Sequence, residues 1–95
     1  MSEVRIRCIN KDNGNHENPN EAITHYGWLE DGVMKKADRQ TMVNWVKKGN
    51  TAYVEDDEGD RADCRVRVSA HGTEFLQTYA DGDYNNNLLS LPECK

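Results

Sequence analysis

The chain predicts an α+β domain in which one α-helix packs on an antiparallel sheet of four to five strands. Short stretches of period-two alternation, one capped stretch of helical period, and turn residues between them predict it. The 95 residues make a single domain, 1–95, with no room for a second core.

The first strand is expected over residues 3–9, where Val4, Ile6 and Cys8 alternate with Arg5 and Arg7. Residues 10–20 hold five Asn, one Gly and one Pro, which predicts a surface loop. Ala22–Leu29 reads as a second strand, Glu30-Asp31-Gly32 as a turn, and Val33-Met34 as the opening of a short third strand. Asp38 is a natural N-cap for the helix. Met42, Val43, Trp45 and Val46 then share one helical face, while Arg39, Asn44 and Lys48 face solvent. Lys47 and Lys48 suit the negative end of the helix dipole, and Gly49 suits the left-handed residue that ends it. Thr51–Glu55 predicts a strand, and the acidic run 55–60 a hairpin connection to Asp63–Ser69. There Cys64, Val66 and Val68 oppose Arg65 and Arg67. His71-Gly72 turns the chain into a last strand, Thr73–Tyr79.

Leu, Ile, Val and Phe fill only 16 positions, so the core is expected to be thin and the domain modestly stable. Three of the five leucines, Leu88, Leu89 and Leu91, fall within four positions before Pro92. That spacing predicts a C-terminal segment that docks on the domain. The net charge of −5 combines 17 acidic with 12 basic residues, too mixed for mimicry of nucleic acid by the whole surface. No apolar stretch approaches the roughly 20 residues that cross a bilayer, and residues 1–10 hold no signal-peptide core. A cytoplasmic location, in the host cytoplasm if the protein is viral, is therefore expected. Cys8, Cys64 and Cys94 are an odd set, expected to be free thiols in a reducing compartment.

Two Arg-x-Arg pairs, Arg5/Arg7 and Arg65/Arg67, alternate on strands. If those strands are neighbours, four guanidinium groups share a surface fit for phosphates or a carboxylate-rich partner. The plainer account is a solvated face whose charges pair with Glu3, Asp63 and Glu74. The run Glu55-Asp56-Asp57-Glu58-Gly59-Asp60 lacks the flanking helices and twelfth-position Glu of a calcium loop, so it reads as a hairpin tip. Asp81-Gly82-Asp83 reads as a turn. His16, His25 and His71 show no metal spacing, and no nucleophile elbow or phosphate loop is present. No catalytic residue, metal or cofactor is expected. Trp45 is expected in the core, and Trp28 either covers the sheet or anchors a partner.

The pattern Ile6-x-Cys8-Ile9, Ile23-Thr24-His25 with Gly27, and Trp45-Val46 with Gly49 resembles a small bacterial and phage domain of unknown function. The ending Thr78-x-Ala80-Asp81-Gly82 and Asn87-Leu88-Leu89-x-Leu91-Pro92-x-Cys94 is the most specific part of that resemblance. It implies fold and origin and brings no catalytic or cofactor residue. By type and size, not by motif, the chain is also similar to small phage-encoded anti-CRISPR proteins.

The function expected on these grounds is a non-enzymatic interaction protein of phage or mobile-element origin. It would bind and inhibit a bacterial nucleic-acid-handling protein or ribonucleoprotein complex. The residues expected to carry binding are Arg65 and Arg67, Arg39, Lys47 and Lys48 of the helix, and Asp56, Asp57, Glu58 and Asp60 of the tip. The alternative is a small RNA- or DNA-binding domain that uses the Arg-x-Arg sheet face. No membrane partner is expected, and the chain is expected as a monomer or weak homodimer.

Overall fold

The computed structural model describes residues 2–12, 19–80 and 82–94. Strands β1 (Glu3–Lys11), β2 (Ile23–Glu30) and β3 (Val33–Asp38) form an antiparallel meander. Asp31 and Gly32 join β2 to β3 with φ of 52° and 80°, the left-handed pair whose twist matches that of the flanking strands. The 3₁₀ turn Pro19–Ala22 precedes β2. Residues 13–18 of the expected loop, with His16, lie outside the described residues.

Helix α1 (Arg39–Lys47) follows β3 directly. The Asp38 carboxylate accepts a 2.8 Å hydrogen bond from the Thr41 amide, and hydrogen bonding to the Thr41 side chain and then to its amide holds that carboxyl below its usual pKa. Met42 and Val43 are buried, with Trp45 and Val46 half-buried beside them. At Gly49 the backbone turns with φ of 101°. The chain thereby leads into β4 (Thr51–Glu55), which lies beside β1 and parallel to it. Strands β5 (Arg61–Val68), β6 (Glu74–Ala80) and β7 (Asp83–Asn85) extend the sheet antiparallel.

The result is one sheet of seven strands in the order β3-β2-β1-β4-β5-β6-β7. This corrects the expected antiparallel sheet of four to five strands. The sheet is mixed, strands dominate the chain, and α1 is the one α-helix among the described residues. A helix between two strands of one sheet returns the chain to its starting end, so β4 must run in the direction of β3 and β1. Strand β7 is only three residues long and begins inside the Asp81-Gly82-Asp83 turn, of which Asp81 is not described.

The core lies on the helix side of the sheet. It contains Ile6, Ile9, Ile23 and Tyr26 of the first meander, Val54, Cys64 and Leu76 of the second, and Met42 and Val43 of α1. Burial pushes the Tyr26 hydroxyl pKa up, and likewise that of the free Cys64 thiol. The C-terminal segment closes this core. A 3₁₀ turn over Asn87–Ser90 places Leu88 fully inside, with Leu89 and Leu91 packed on the cluster. The Ile9 amide donates to Pro92 O and the Cys94 amide to Ile9 O, each at 3.0 Å, a short parallel bridge on β1. The expected docking of Leu88, Leu89 and Leu91 is borne out.

Cys8 and Cys94 form a disulfide across 86 positions, so the expectation of three free thiols holds only for Cys64. The strand alternation is also corrected at this place. Ile6 faces Trp28 and Cys8 faces Gly27, so β1 carries one extra residue, Arg7, against β2. After the bulge Ile9 and Tyr26 enter the core, and Cys8 turns with Gly27 to the opposite face. A Cβ on Gly27 would lie 2.3 Å from Cys8 Sγ and 2.7 Å from Cys94 Sγ. Gly27→Ala is therefore expected to lower Tm by roughly 5–15 °C, the consequence of about 1–3 kcal/mol of overpacking. A scanning melt checks this, and an unchanged Tm would show that the disulfide yields without cost.

Candidate functional site

The face of the sheet away from α1 carries most of the charged residues of β1, β4 and β5, beside the buried Phe75 and Gln77 of β6. Register places Arg5 of β1 opposite Tyr53 of β4, Tyr53 opposite Asp63 of β5, Asp63 opposite Tyr79 of β6, and Tyr79 opposite Tyr84 of β7. Directly opposed residues share a face, so this row crosses five neighbouring strands. Arg61, Arg65 and Arg67 fall on the same face of β5, two residues apart.

Three of these arginines lie over the rings of three tyrosines. The Arg61 guanidinium carbon sits 3.9 Å from the Tyr53 ring centroid, that of Arg65 3.8 Å from Tyr79, and that of Arg67 4.2 Å from Tyr84. Tyr79 and Tyr84 meet edge to face with centroids 5.0 Å apart. Their polar edges differ. Arg61 donates to Glu3 at 2.7 Å and to Asp63 at 2.8 Å, which keeps Glu3 ionised below its usual range and raises the Arg61 pKa. Arg67 donates to Gln77 Oε1 at 2.7 Å, and Gln77 in turn donates to Asn85 O at 3.1 Å. Arg5 donates to Glu55 O at 3.1 Å, its guanidinium 3.7 Å from the Glu55 carboxylate. Among the described residues Arg7, Arg65 and Arg67 have no carboxylate within ion-pair distance. An open depression of about 390 Å³ borders Arg5, Arg7, Leu29, Tyr53 and Glu55 on this face.

The residues expected to bind separate into three places. Arg65 and Arg67 belong to the stacked face. The strands bearing the two Arg-x-Arg pairs are not neighbours, since β4 lies between β1 and β5, and its Tyr53 joins them. Arg39 donates to Glu21 O at 2.7 Å and ties α1 to the turn before β2. Lys47 pairs with Glu74 at 2.8 Å, lowering the Glu74 pKa, while Lys48 is exposed at the end of α1. In the acidic tip, Asp56 accepts from the Glu58 and Asp60 amides at 2.9 Å each and so holds the turn. Asp57, Glu58 and Asp60 are exposed.

The plainer account of the charges holds in part. Glu3 and Asp63 do take a cation, but it is Arg61, and Glu74 takes Lys47. Sequence reasoning missed Arg61, Tyr53, Tyr79 and Tyr84. The signal was the arginine at every second position of β5 save Asp63, with a tyrosine on each strand beside it. Trp28 and Trp45 both pack half-buried on the core and border a cavity of about 280 Å³ with Val4, Ala37 and Met42. Among the described residues no group of three His, Cys, Asp or Glu could hold a metal ion. No helix among them is long and apolar enough to cross a membrane.

Fold and face together define a small mostly-β domain with a helix on one side of its sheet and an arginine–tyrosine surface on the other. The chain belongs to the family described as "Protein of unknown function (DUF3892)", which it matches over residues 5–92. That match supports the small domain of unknown function that the motifs resembled and carries no phage or anti-CRISPR link. No curated protein and no solved structure matches the chain.

Proposed function

We propose that this domain binds nucleic acid through the sheet face away from α1. The observation that supports it is the set of three guanidinium groups placed over three tyrosine rings on one face of the sheet. Guanidinium planes suit both parts of a nucleotide, pairing with phosphate at their N–H edge and stacking with bases on their faces. The net charge of −5 does not oppose this locally. On β1, β4 and β5 this face carries Arg5, Arg7, Arg61, Arg65 and Arg67 against Glu3, Glu55 and Asp63, five cations against three anions, while the acidic tip 56–60 lies at the end of the β4–β5 hairpin.

The inhibitor expected from size and charge would join Arg65 and Arg67 to the helix cations and the tip. Those three groups occupy different parts of the molecule, so a single contact surface favours the sheet face alone. Binding of a labelled 20-nucleotide RNA or DNA is expected to weaken steeply with salt. Arg65→Ala with Arg67→Ala should weaken it by at least about tenfold and make the logarithmic salt slope shallower by roughly 1–2. Gel shift or fluorescence polarisation at several salt concentrations reads both. No binding at low salt, or equal binding by the double variant, would overturn the proposal.

A further inference from the structure

We infer that the nucleic acid this face takes is single-stranded and held by base stacking at three adjoining positions. This rests on the nucleic-acid reading above and narrows it. The positions are Arg61 on Tyr53, Arg65 on Tyr79 and Arg67 on Tyr84. In each, a flat cation lies on a flat ring, so what the surface offers a ligand is a set of planar π-faces. A duplex has no base faces to give, because its bases stack on one another and show only their edges. An unpaired strand can splay its bases onto such planes.

Charge leads to the same choice. Duplex binding draws on many phosphate contacts, roughly 6–10 in a well-bound protein. This face cannot supply them, since Arg61 is held by Glu3 and Asp63, and Arg5 lies against Glu55. Arg7, Arg65 and Arg67 are the arginines on it without a carboxylate partner among the described residues. Three phosphates and stacked bases match a short single strand. The dimensions agree. Tyr53 and Tyr79 are two strand steps apart, about 10 Å, and Tyr84 continues the row 5.0 Å from Tyr79. That length accommodates about three bases, comparable to the bases that other sheet platforms stack.

The test uses the full chain and fluorescein-labelled oligo(dT) and oligo(rU) of 2–12 nucleotides, with a 20-base-pair duplex as comparison. Affinity is expected to rise steeply up to about three or four nucleotides and slowly beyond, with the duplex at least about tenfold weaker per site. Tyr84→Leu, on an exposed edge strand, should weaken single-strand binding by about tenfold and leave the salt slope unchanged, because a stack and not a charge is lost. Tyr84→Phe should restore binding. Equal affinity for duplex, or full binding by Tyr84→Leu, would overturn the single-strand inference while the nucleic-acid proposal stands. Failure to bind any of these probes would overturn both.

Discussion

Truncation after Asn87 is expected to abolish the cooperative unfolding transition of this domain. The cut removes Leu88, which has no exposed surface and belongs to the core cluster, together with Leu89 and Leu91 packed against it. It also removes both backbone hydrogen bonds to Ile9 and the covalent tie to Cys8. Loss of a buried leucine costs about 2–5 kcal/mol. Loss of the disulfide costs about 2–4 kcal/mol more, against a total stability of roughly 5–15 kcal/mol for a domain. A thermal melt followed by circular dichroism reads the outcome. Leu88→Ala in the full chain isolates the packing contribution and is expected to lower Tm by at least about 10 °C. A truncated chain that melted at the parent temperature would mean that the segment is no part of the fold.

Reduction of the Cys8–Cys94 bond, or Cys94→Ser, is expected to lower Tm by roughly 10–25 °C. The bond joins positions 86 apart and so closes nearly the whole chain into one loop. In the chain-entropy account a loop of that size restricts the unfolded ensemble by about 4–5 kcal/mol, with typical measured effects of about 2–4 kcal/mol. Both sulfurs are buried beside Gly27, so serine at either position also leaves a hydroxyl with little water. Melts with and without reductant separate the two contributions, since reductant removes the bond and keeps the sulfurs. Its effect and that of Leu88→Ala should not add, because both loosen the same C-terminal segment. A melting curve indifferent to reductant would sink this prediction.

Much of the fold was legible in local pattern. Helix α1 announced itself through Asp38, the apolar face from Met42 to Val46, and Gly49, and each does its expected work. Strand Thr51–Glu55 is found at the expected residues. The three leucines near the terminus foretold docking because a chain with so few large apolar residues has few to spare for a free end. The working face was half legible. Arg65 and Arg67 stood out by alternation, but the tyrosines that complete it lie on three other strands, and no spacing along a chain says which strands become neighbours.

What the sequence determined by itself was therefore a set of features that rest on contacts within one turn or one strand: the helix cap, the alternation of β5, the turn at Asp31-Gly32 and the helical face. Those depend on residues a few positions apart, and their chemistry is written side by side. The tertiary structure alone decided that β4 enters parallel to β1, that Arg7 bulges and turns Cys8 toward Cys94, and that Tyr53, Tyr79 and Tyr84 come under Arg61, Arg65 and Arg67. These depend on strand order, and strand order is set by how the whole chain buries its few large apolar side chains at once.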